Sequence, residues 1–557
     1  MLLKDPIRVT ENLTSIPHDK ISKPESIIGK SRVNSKGLDL TSPVSIDALQ
    51  SAHDDVYAKT FTAYFLTVNS IPNSEPDSGH EIQIINPANS ADIVGVAKEI
   101  DPAIMPQAFA TAKAAQPQWN ALGGAARSDI LFKAADILEK KTYSLMALLT
   151  REAGKTHDDA IAEVREAVDF CRYYGNRAAA DFTQAEQLPG PTGEDNSIIL
   201  SGRGVFVVIS PWNFPLAIFI GQTVAALAAG NSVLTKPAPQ TPLIAYEAVK
   251  ILYEAGVPKD VLQLIIGDGA IGGQLVNHAD VAGVAFTGSL KTAKLINLAL
   301  ANKDGPIVPL IAETGGQNVM FVDSTALLEQ VTDDVIQSAF KSAGQRCSAL
   351  RVLYLQDDIA DEALEMIKGA IATLSTGNPQ RLDSDIGPII DNEAMRALEQ
   401  HIESLKRQGA SYYQAEKTDL HSAGNYVLPC LFEISNIAEL EKEHFGPILH
   451  VIRYKAEDLE ATIQSAFSTG YGLTLGIHTR MDRRWGDIFK QAPIGNTYVN
   501  RNITGAVVGS QPFGGQGLSG TGFKAGGPRY LYKFAAEKTL SVNRMASGGN
   551  TDLLTLD

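Results

Sequence analysis

A cysteine that could act as a nucleophile lies in the short polar segment Gly344–Ser348 (GQRCS). A carboxylate, Glu313, opens the upstream segment Glu313–Gly316 (ETGG). A free thiol has a pKa of about 8.5, so little of it is thiolate at neutral pH unless a neighbour stabilises the charge. Arg346 and the N–H groups of a turn could supply that help, and Glu313 could act as a general base. On these segments alone, a buried structural cysteine and a solvated surface glutamate remain open alternatives.

An asparagine in an irregular apolar turn could stabilise a developing negative charge. Two prolines fix the turn Ser210–Pro215 (SPWNFP), and Asn213 is its only amide side chain. A buried amide must find partners, and an N–H group aimed into a cleft is suited to an oxyanion. A turn-capping asparagine is the competing interpretation.

Three further segments could bind phosphate or sugar groups. Phe286–Ser289 (FTGS) follows a predicted strand and opens a predicted helix, where free N–H groups attract phosphate. Gly267–Gly273 lies in the same kind of position, and its glycines let the backbone approach a ligand closely. Lys236 follows a buried strand, from which its ammonium could reach a ribose hydroxyl. Taken alone, each of these segments also fits an ordinary turn or a solvated lysine.

Composition excludes several classes of protein. A chain of 557 residues, 44% hydrophobic and 20% charged, is long enough for two or three globular domains. Its formal net charge of -15 argues against a nucleic-acid partner, because phosphate contacts need clustered Lys and Arg. Cys171, Cys347 and Cys430 are odd in number and widely spaced. We therefore expect no disulfide framework and no metal site, and a reducing compartment, the cytoplasm.

We expect neither a signal peptide nor a membrane span. Met1–Pro6 begins no apolar segment. The most apolar stretch, Val205–Ala229, is interrupted by Pro211, Asn213 and Pro215. That pattern predicts a buried strand, a turn and a buried helix.

The elements that must position these residues follow a strand–turn–helix pattern. Residues 1–54 are polar without a sustained period and are expected to form an arm or linker. Helices are predicted at residues 103–119, 125–153 and 160–174. From 205 to 312, and again from 318 to 500, strands alternate with helices. Such units predict parallel, doubly wound sheets that bind ligands at the carboxyl ends of their strands.

Taken together, these segments closely resemble the aldehyde dehydrogenase superfamily. Six motifs occur in the order of that family: Trp212–Pro215 (WNFP), Lys236–Ala238 (KPA), Phe286–Ser289 (FTGS), Glu313–Gly316 (ETGG), Gly344–Cys347 (GQRC) and Glu443–Pro447 (EHFGP). The probability that six motifs agree in order by chance is negligible. The purely structural interpretations of the single segments are therefore no longer favoured.

A narrower resemblance connects nearly the whole chain to the semialdehyde dehydrogenase half of bifunctional proline utilization A proteins. It rests on segments that include the arm: Asn34–Leu40, Ala312–Asn318, Cys347–Arg351, Tyr498–Asn502, Gly505–Gly509, Gln511–Gly515 and Lys524–Pro528. The sequence contains no proline dehydrogenase barrel. We expect either an excised half or a stand-alone relative, and a separate proline dehydrogenase partner is a further hypothesis.

The resemblance implies a reaction and its catalytic residues. The reaction is oxidation of L-glutamate γ-semialdehyde, the open form of Δ1-pyrroline-5-carboxylate, to L-glutamate with NAD, the second step of proline catabolism. Cys347 would attack the aldehyde carbon, and the Asn213 amide and the Cys347 N–H would hold the oxyanion. Glu313 would activate the water that hydrolyses the resulting thioester.

The resemblance also implies binding residues. Those expected at the cofactor are Ser210, Pro211, Trp212, Lys236, Ala238, Pro239, Gly269, Gly273, Phe286, Thr287, Gly288, Ser289, Thr314, Gly315, Glu443 and Phe445. Those expected at the substrate are Glu163, Phe214, Arg346, Ser348, Gly505, Ala506 and Phe513. Many relatives carry a glutamate where this chain has Pro239, so the choice between NAD and NADP stays open, with NAD expected.

The implied fold is α/β and aldehyde dehydrogenase-like, with two doubly wound parallel-sheet domains and a β-flap for oligomerisation. The expected divisions are an arm (1–54), an NAD-binding Rossmann-like domain (55–180 and 203–312), a catalytic domain (313–504), and a flap with a C-terminal substrate-anchor segment (181–202 and 505–557). The flap would pair between subunits, so a homodimer or larger assembly is expected.

Two alternatives are carried forward. One is another semialdehyde dehydrogenase, for instance one acting on succinate semialdehyde, and the segments Gly505–Ala506 and Lys524–Pro528 speak against it. The other is a catalytically silent scaffold relative. The presence of Cys347, Glu313 and Asn213 together argues against that alternative.

Overall fold

The computed structural model of the protein describes residues 20–29, 32–67, 80–416 and 424–544. The expectation about Met1–Pro6, much of the arm and the end of the 505–557 segment therefore lie outside the described residues. Across those ranges, no helix combines the length and the apolar character that a membrane crossing requires.

The strands are numbered in chain order. They are β1 (Phe61–Ala63), β2 (Glu81–Ile85), β3 (Ile93–Lys98), β4 (Glu186–Leu188), β5 (Glu194–Gly202), β6 (Val205–Ile209), β7 (Ser232–Lys236), β8 (Leu262–Leu264), β9 (Val281–Gly288), β10 (Leu310–Thr314), β11 (Asn318–Val322), β12 (Leu350–Gln356), β13 (Tyr412–Gln414), β14 (Cys430–Glu433), β15 (Ile448–Tyr454), β16 (Tyr471–Gly472), β17 (Thr474–His478), β18 (Asn496–Val499), β19 (Gln516–Gly517) and β20 (Ala535–Asn543).

The α-helices are numbered in the same way. They are α1 (Pro43–Tyr57), α2 (Met105–Ala121), α3 (Gly123–Lys140), α4 (Thr142–Ala153), α5 (His157–Asp181), α6 (Ala217–Ala228), α7 (Pro242–Ala255), α8 (Gly269–Asn277), α9 (Leu290–Ala301), α10 (Leu328–Phe340), α11 (Asp357–Thr373), α12 (Asn392–Arg407), α13 (Leu459–Phe467) and α14 (Asp482–Gln491).

Two parallel sheets form the centre of the molecule. The first has five strands in the order β10-β9-β6-β7-β8, all parallel. The second has seven strands in the order β13-β14-β15-β12-β11-β17-β18, and only β13 runs antiparallel to its neighbour. Val205–Ile209 and Asn318–Val322 are buried along their whole length, as expected for parallel strands covered on both faces. The predicted fold class is confirmed.

A separate antiparallel sheet joins the end of the described chain to its middle. It contains β4, β5 and β20, with Ala535 opposite Gly202 and Asn543 opposite Glu194. Most of β20 is exposed. Its strands lie within the two segments, 181–202 and 505–557, that the sequence assigned to the flap and C-terminal segment.

Two of the predicted helices differ clearly from the helices in the structure. The helix predicted at 125–153 is two helices, α3 and α4, because the backbone leaves helical geometry at Lys141, where no proline or glycine marks a break. The helix predicted at 160–174 begins at His157 and continues to Asp181, past Gly175. At Gly175 an added Cβ would lie 3.0 Å from the Phe132 ring, so the glycine permits close packing between α5 and α3.

The arm is more ordered than its composition suggests. Helix α1 lies largely within the 1–54 range and packs on α4, burying Leu49, His53 and Val56. The short segment before it is anchored to α5, because Ser35 donates from its N–H (3.0 Å) and its hydroxyl (2.8 Å) to Asp169. From residue 32 onward this segment is therefore an arm that packs against α4 and α5.

Candidate active site

The backbone at Cys347 is held in an unusual conformation. Ser342, Ala343 and Gly344 have φ values of 57°, 53° and 67°, so three successive residues are left-handed where the GQRC motif begins. This conformation costs free energy for residues with a Cβ, and such strain concentrates at functional sites. Gly344 also lacks room for a side chain, because an added Cβ would collide with the Gly446 backbone.

Two buried side chains that the sequence analysis missed as functional residues hold this loop. Asn318, the first residue of β11, donates through Nδ2 to the carbonyl oxygens of Cys347 (2.6 Å) and Ala349 (2.9 Å). Arg351 donates to the carbonyl oxygens of Gly344 (2.7 Å) and Arg346 (3.0 Å). Both residues lie in segments quoted for the resemblance, but only the fold shows that they grip the loop.

The thiol of Cys347 is surrounded by acidic groups. Burial, followed by the charges of Glu443 and Glu313, raises the pKa of Cys347 to about 12, and Arg351 opposes this shift. Arg346 does not supply the expected help, because its guanidinium pairs with Asp159 at 2.6 Å and binds the Ser342 hydroxyl. The resting thiol is therefore protonated at neutral pH, so its proton must leave as it attacks.

The Asn213 amide lies against the cysteine loop. It follows β6, is 6% exposed, and donates through Nδ2 to the carbonyl oxygen of Gln345 (3.1 Å). The Lys155 ammonium donates to the backbone oxygen of Asn213 and lies 3.3 Å from the Glu163 carboxylate. A primary amide carries two N–H bonds, so one remains for another acceptor after the bond to Gln345.

Glu313 lies at the carboxyl end of the parallel sheet, on β10. Its Oε2 accepts from the Gly515 N–H (2.8 Å), and its buried Oε1 has no hydrogen-bond partner in the described chain. An added Cβ at Gly514 or Gly520 would lie 2.9 Å from a Glu313 oxygen, so the surrounding glycines leave space for the carboxylate. Burial raises the pKa of Glu313 well above its ordinary value, against the opposing effects of the Gly515 N–H and the Lys524 charge.

Glu163 lies in the core, against the start of α6. Glu163 is completely buried and accepts from the N–H groups of Leu216 (3.0 Å) and Ala217 (3.3 Å) at the start of α6. These hydrogen bonds give Glu163 a structural role, and its expected contact with the substrate stays a prediction. Glu166, one helical turn further along α5, is partly exposed, and its charge contributes to the raised pKa of Cys347. The i, i+3 spacing on one helix face is the signal that could have identified it.

The expected cofactor residues cluster at neighbouring strand ends of the first sheet. Ser210, Pro211 and Trp212 follow β6; Lys236, Ala238 and Pro239 end or follow β7; Phe286, Thr287, Gly288 and Ser289 end or follow β9. These three strands are adjacent, which is where a doubly wound sheet binds its ligand.

Open space and polar groups at this edge fit a nucleotide. An added Cβ at Gly269 or Gly273, near the start of α8, would meet no other atom of the described chain within 4 Å. The buried Lys236 ammonium donates to the carbonyl oxygens of Pro237 and Gly267, both at 2.9 Å, and burial lowers its pKa to about 8. Ser289 caps α9 by accepting from the Thr292 N–H (3.2 Å).

A second group of expected cofactor residues lies next to the cysteine loop. Glu443 accepts from Arg351 at 3.1 Å and fills the space where Gly315 would carry a Cβ. Phe445 contacts Trp212 edge to face, with the ring centroids 5.6 Å apart. Thr314 is buried and donates to the carbonyl oxygen of Leu518 (2.6 Å).

The expected substrate residues are less uniformly placed. Phe214 lies between two cations, with Lys155 4.6 Å and Arg346 5.4 Å from its ring centroid. Ser348 is buried beside Cys347. Gly505, in left-handed conformation, and Ala506 lie in a partly exposed loop, and Phe513 pairs with Ala525 through two backbone hydrogen bonds.

Comparison with known proteins identifies the family. The model of the aldehyde dehydrogenase family matches residues 74–540. The 1-pyrroline-5-carboxylate dehydrogenase of Geobacillus thermodenitrificans is 38% identical over 469 residues, covering 83% of this chain and 90% of that protein. The chain therefore belongs to the aldehyde dehydrogenase family, and the expectation from the six motifs is confirmed.

The narrower resemblance is confirmed as well. The bifunctional protein PutA of Escherichia coli is 47% identical over 556 residues, covering 97% of this chain and 41% of that protein. The chain thus spans about two fifths of the length of that relative. Among solved structures, a bifunctional proline utilization A protein matches with a TM-score of 0.85 at 47% identity, over 95% of this chain and 50% of that one. A 1-pyrroline-5-carboxylate dehydrogenase matches with a TM-score of 0.86 at 32% identity, over 92% of this chain and 98% of that one.

Proposed function

We propose that this protein oxidises L-glutamate γ-semialdehyde, formed from Δ1-pyrroline-5-carboxylate, to L-glutamate with NAD. The observation that carries the proposal is the convergence of Cys347, Asn213 and Glu313 in a chain that matches 1-pyrroline-5-carboxylate dehydrogenases over most of their length. A thiol, an amide donor and a buried carboxylate are the groups needed to form and hydrolyse a thioester.

The first step is attack of the Cys347 sulfur on the aldehyde carbon. The thiol releases its proton to solvent water as the C–S bond forms, and the aldehyde oxygen becomes an oxyanion. The free N–H of the Asn213 amide and the Cys347 N–H stabilise that oxyanion. Loss of one such donor costs about 10²–10³ in rate.

NAD, when bound, supplies the acceptor for the hydride that leaves the former aldehyde carbon. In this chain, Lys236 and Glu443 would hold ribose hydroxyls, and Phe445 with Trp212 would flank the nicotinamide. The open edge at Gly269 and the N-terminus of α9 at Ser289 would receive the adenosine and phosphate groups. Pro239 offers no side-chain acceptor, so the preference for NAD over NADP rests on the family.

The second half of the reaction is hydrolysis of the thioester on Cys347. Glu313 takes a proton from water as the water oxygen bonds to the acyl carbon. The C–S bond then breaks, and L-glutamate leaves. Removing a general base of this kind lowers the rate by about 10²–10⁴.

The polar end of the substrate has candidate partners as well. Backbone N–H groups at Gly505 and Ala506, with Ser348, would bind the α-carboxylate. Phe214 and Phe513 would flank the aliphatic stem. Glu166, a partly exposed residue whose charge reaches the thiol, suits the α-ammonium better than the buried Glu163 does.

The domain division and assembly follow from the same proposal. Residues 55–180 and 203–312 would form the NAD-binding domain and 313–504 the catalytic domain, with the flap at 181–202 pairing between subunits. We further propose a cytoplasmic homodimer or larger assembly, acting with a proline dehydrogenase that is either fused to it or separate.

NADH absorbance during turnover tests the proposal. Wild-type protein is supplied with Δ1-pyrroline-5-carboxylate and either NAD or NADP, and the Cys347→Ala variant serves as control. NAD-dependent turnover that disappears in the variant supports the assigned reaction. Turnover with succinate semialdehyde alone would overturn the substrate, and no turnover with any aldehyde despite NAD binding would favour the scaffold alternative.

A further inference from the structure

Lys524 is a cation packed behind the buried carboxylate of Glu313. Its ammonium donates to the carbonyl oxygen of Gly495, to Oδ1 of Asn496 (3.0 Å) and to the carbonyl oxygen of Gly514 (3.3 Å). All three donors of the ammonium group therefore have acceptors. Such a fully engaged lysine is a fixed element of the structure rather than a solvated side chain.

The acceptors of Lys524 belong to the segment that binds Glu313. Asn496 Oδ1 also accepts from the Gly514 N–H (3.2 Å), and Asn496 Nδ2 donates to the carbonyl oxygen of Pro512 (2.8 Å). The next residue, Gly515, donates its N–H to Glu313 Oε2 (2.8 Å). Lys524 and Asn496 thus clamp the backbone that supplies the hydrogen bond to the carboxylate.

The packing around Gly514 leaves little freedom for this arrangement to shift. An added Cβ at Gly514 would lie 2.9 Å from Glu313 Oε1 and 3.3 Å from the Cα of Lys524. Glu313 and Lys524 therefore approach the same glycine from two sides. One side of Lys524 also lines a cleft of about 330 Å³, together with Gly495, Gly514 and Gly515.

The charge of Lys524 and the N–H of Gly515 both affect the protonation of Glu313. Burial raises the pKa of Glu313, and the two influences that oppose burial are the Gly515 N–H and the charge of Lys524. Burial lowers the pKa of Lys524, and the Glu313 charge opposes that shift. Burial raises the pKa values of Cys347 and Tyr530, and the Glu313 charge adds to both shifts. A general base must be ionised to accept a proton, so the Gly515 N–H and the Lys524 charge both favour the reactive form. The charge of Lys524 acts on Glu313 directly. The Gly515 N–H belongs to the backbone segment that Lys524 holds in place.

We propose that Lys524 is a positioning residue that keeps Glu313 oriented and favours its ionised form during hydrolysis of the thioester. The inference rests on the function proposed above. In that step Glu313 accepts a proton from water, the water oxygen bonds to the acyl carbon, and the C–S bond breaks to release the Cys347 thiolate. Glu313 ends as the carboxylic acid and Cys347 as the thiolate, while the second proton of the water stays on the new carboxyl group of the product. Atoms and charge balance, so no further reactant is needed.

Rapid-mixing kinetics on the full chain separates this step from the earlier ones. NADH formed in the first turnover reports attack and hydride transfer, whereas steady-state NADH formation reports hydrolysis when that step is slow. The variants are Lys524→Met, which removes the ammonium, and Lys524→Arg, which keeps the charge. Lys533→Met is the matched control, because Lys533 lies 4.3 Å from the ring centroid of Phe523, a residue of the same cleft.

We expect Lys524→Met to keep the first-turnover burst and to slow steady-state turnover about 10- to 100-fold, within the range for an impaired general base. Raising the pH should recover part of the loss. Hydroxylamine, which attacks the thioester without a protein base, should restore turnover. Lys524→Arg should be affected less, and Lys533→Met should behave as wild type.

Several results would overturn the inference. One is a burst that falls together with the steady-state rate; another is a loss seen only as a raised KM; a third is a loss that hydroxylamine does not relieve. If Lys524→Met does not fold, as judged by circular dichroism, the neutral polar variant Lys524→Gln decides: unchanged hydrolysis contradicts the role, and selectively slowed hydrolysis supports it. Absence of any NADH with wild-type protein would instead refute the proposed function.

Discussion

The side-chain amide of Asn318 holds the backbone of Cys347, with Nδ2 2.6 Å from the Cys347 carbonyl oxygen. The same amide accepts through Oδ1 from the Thr474 N–H (3.1 Å). One side chain therefore ties the nucleophile loop to both β11 and β17. The position of the thiol is a property of the second sheet as much as of the GQRC motif.

Replacing Asn318 should loosen the nucleophile. Asn318→Ala leaves the buried carbonyl group of Ala349 and the partly buried carbonyl group of Cys347 without their donor, at a cost of about 1–3 kcal/mol. We expect a lower melting temperature and a reduced kcat with little change in KM, measured by calorimetry and steady-state kinetics. Asn318→Asp is the matched variant: it keeps the shape but faces the carbonyls with an acceptor, and activity equal to wild type would contradict the role.

Removing the base should stall the enzyme after hydride transfer. Glu313→Gln keeps the size of the side chain and loses its basicity, so the acyl group should remain on Cys347 while steady-state turnover falls about 10²–10⁴-fold. Intact-protein mass spectrometry should detect the acylated chain after mixing with substrate and NAD. An unmodified chain with equally slow turnover would place Glu313 in an earlier step.

The reactivity of the thiol should depend strongly on pH. Because burial and nearby carboxylates raise the pKa of Cys347 to about 12, the thiolate fraction is small at neutral pH and grows with each unit of rising pH. Iodoacetamide labelling of Cys347, followed by peptide mass spectrometry, should therefore accelerate throughout the alkaline range. Glu443→Gln, which removes a negative charge that raises this pKa, should speed labelling at a given pH. A plateau near pH 8 would contradict the raised pKa.

Glu166 should affect substrate binding more than chemistry. Burial, followed by the charge of Glu163, raises the pKa of Glu166 to about 8, and an ammonium bound beside it would favour the ionised form. Glu166→Gln should raise KM for the amino-acid semialdehyde about tenfold, because the variant loses an ion pair with the substrate ammonium. KM for a simple aliphatic aldehyde, which has no ammonium, should stay unchanged. Asp158→Asn is the control, because Asp158 is an exposed carboxylate in the first turn of the same helix. Equal effects on both aldehydes would argue against contact with the ammonium.

The sequence determined the local features of this protein. Runs of apolar residues such as Val205–Ile209 predicted parallel strands, because a strand covered on both faces needs no polar alternation. Ordered motifs around Asn213, Glu313 and Cys347 predicted the family, which comparison then confirmed. These features could be predicted because strand burial and turn formation depend on residues close in the chain, and because the order of the motifs is part of the sequence itself.

Only the tertiary structure decided which side chains meet. Arg346 is next to the nucleophile in sequence, yet its charge is neutralised by Asp159, almost two hundred residues away, at 2.6 Å. Glu163 turns into the core to bind the start of α6, whereas Glu166 on the next turn lies near the thiol. Lys524 reaches Glu313 through Asn496 and Gly514. Such contacts depend on how separate segments of the chain pack. A buried charge is stabilised by an opposite charge that lies close in space, whatever their separation along the chain.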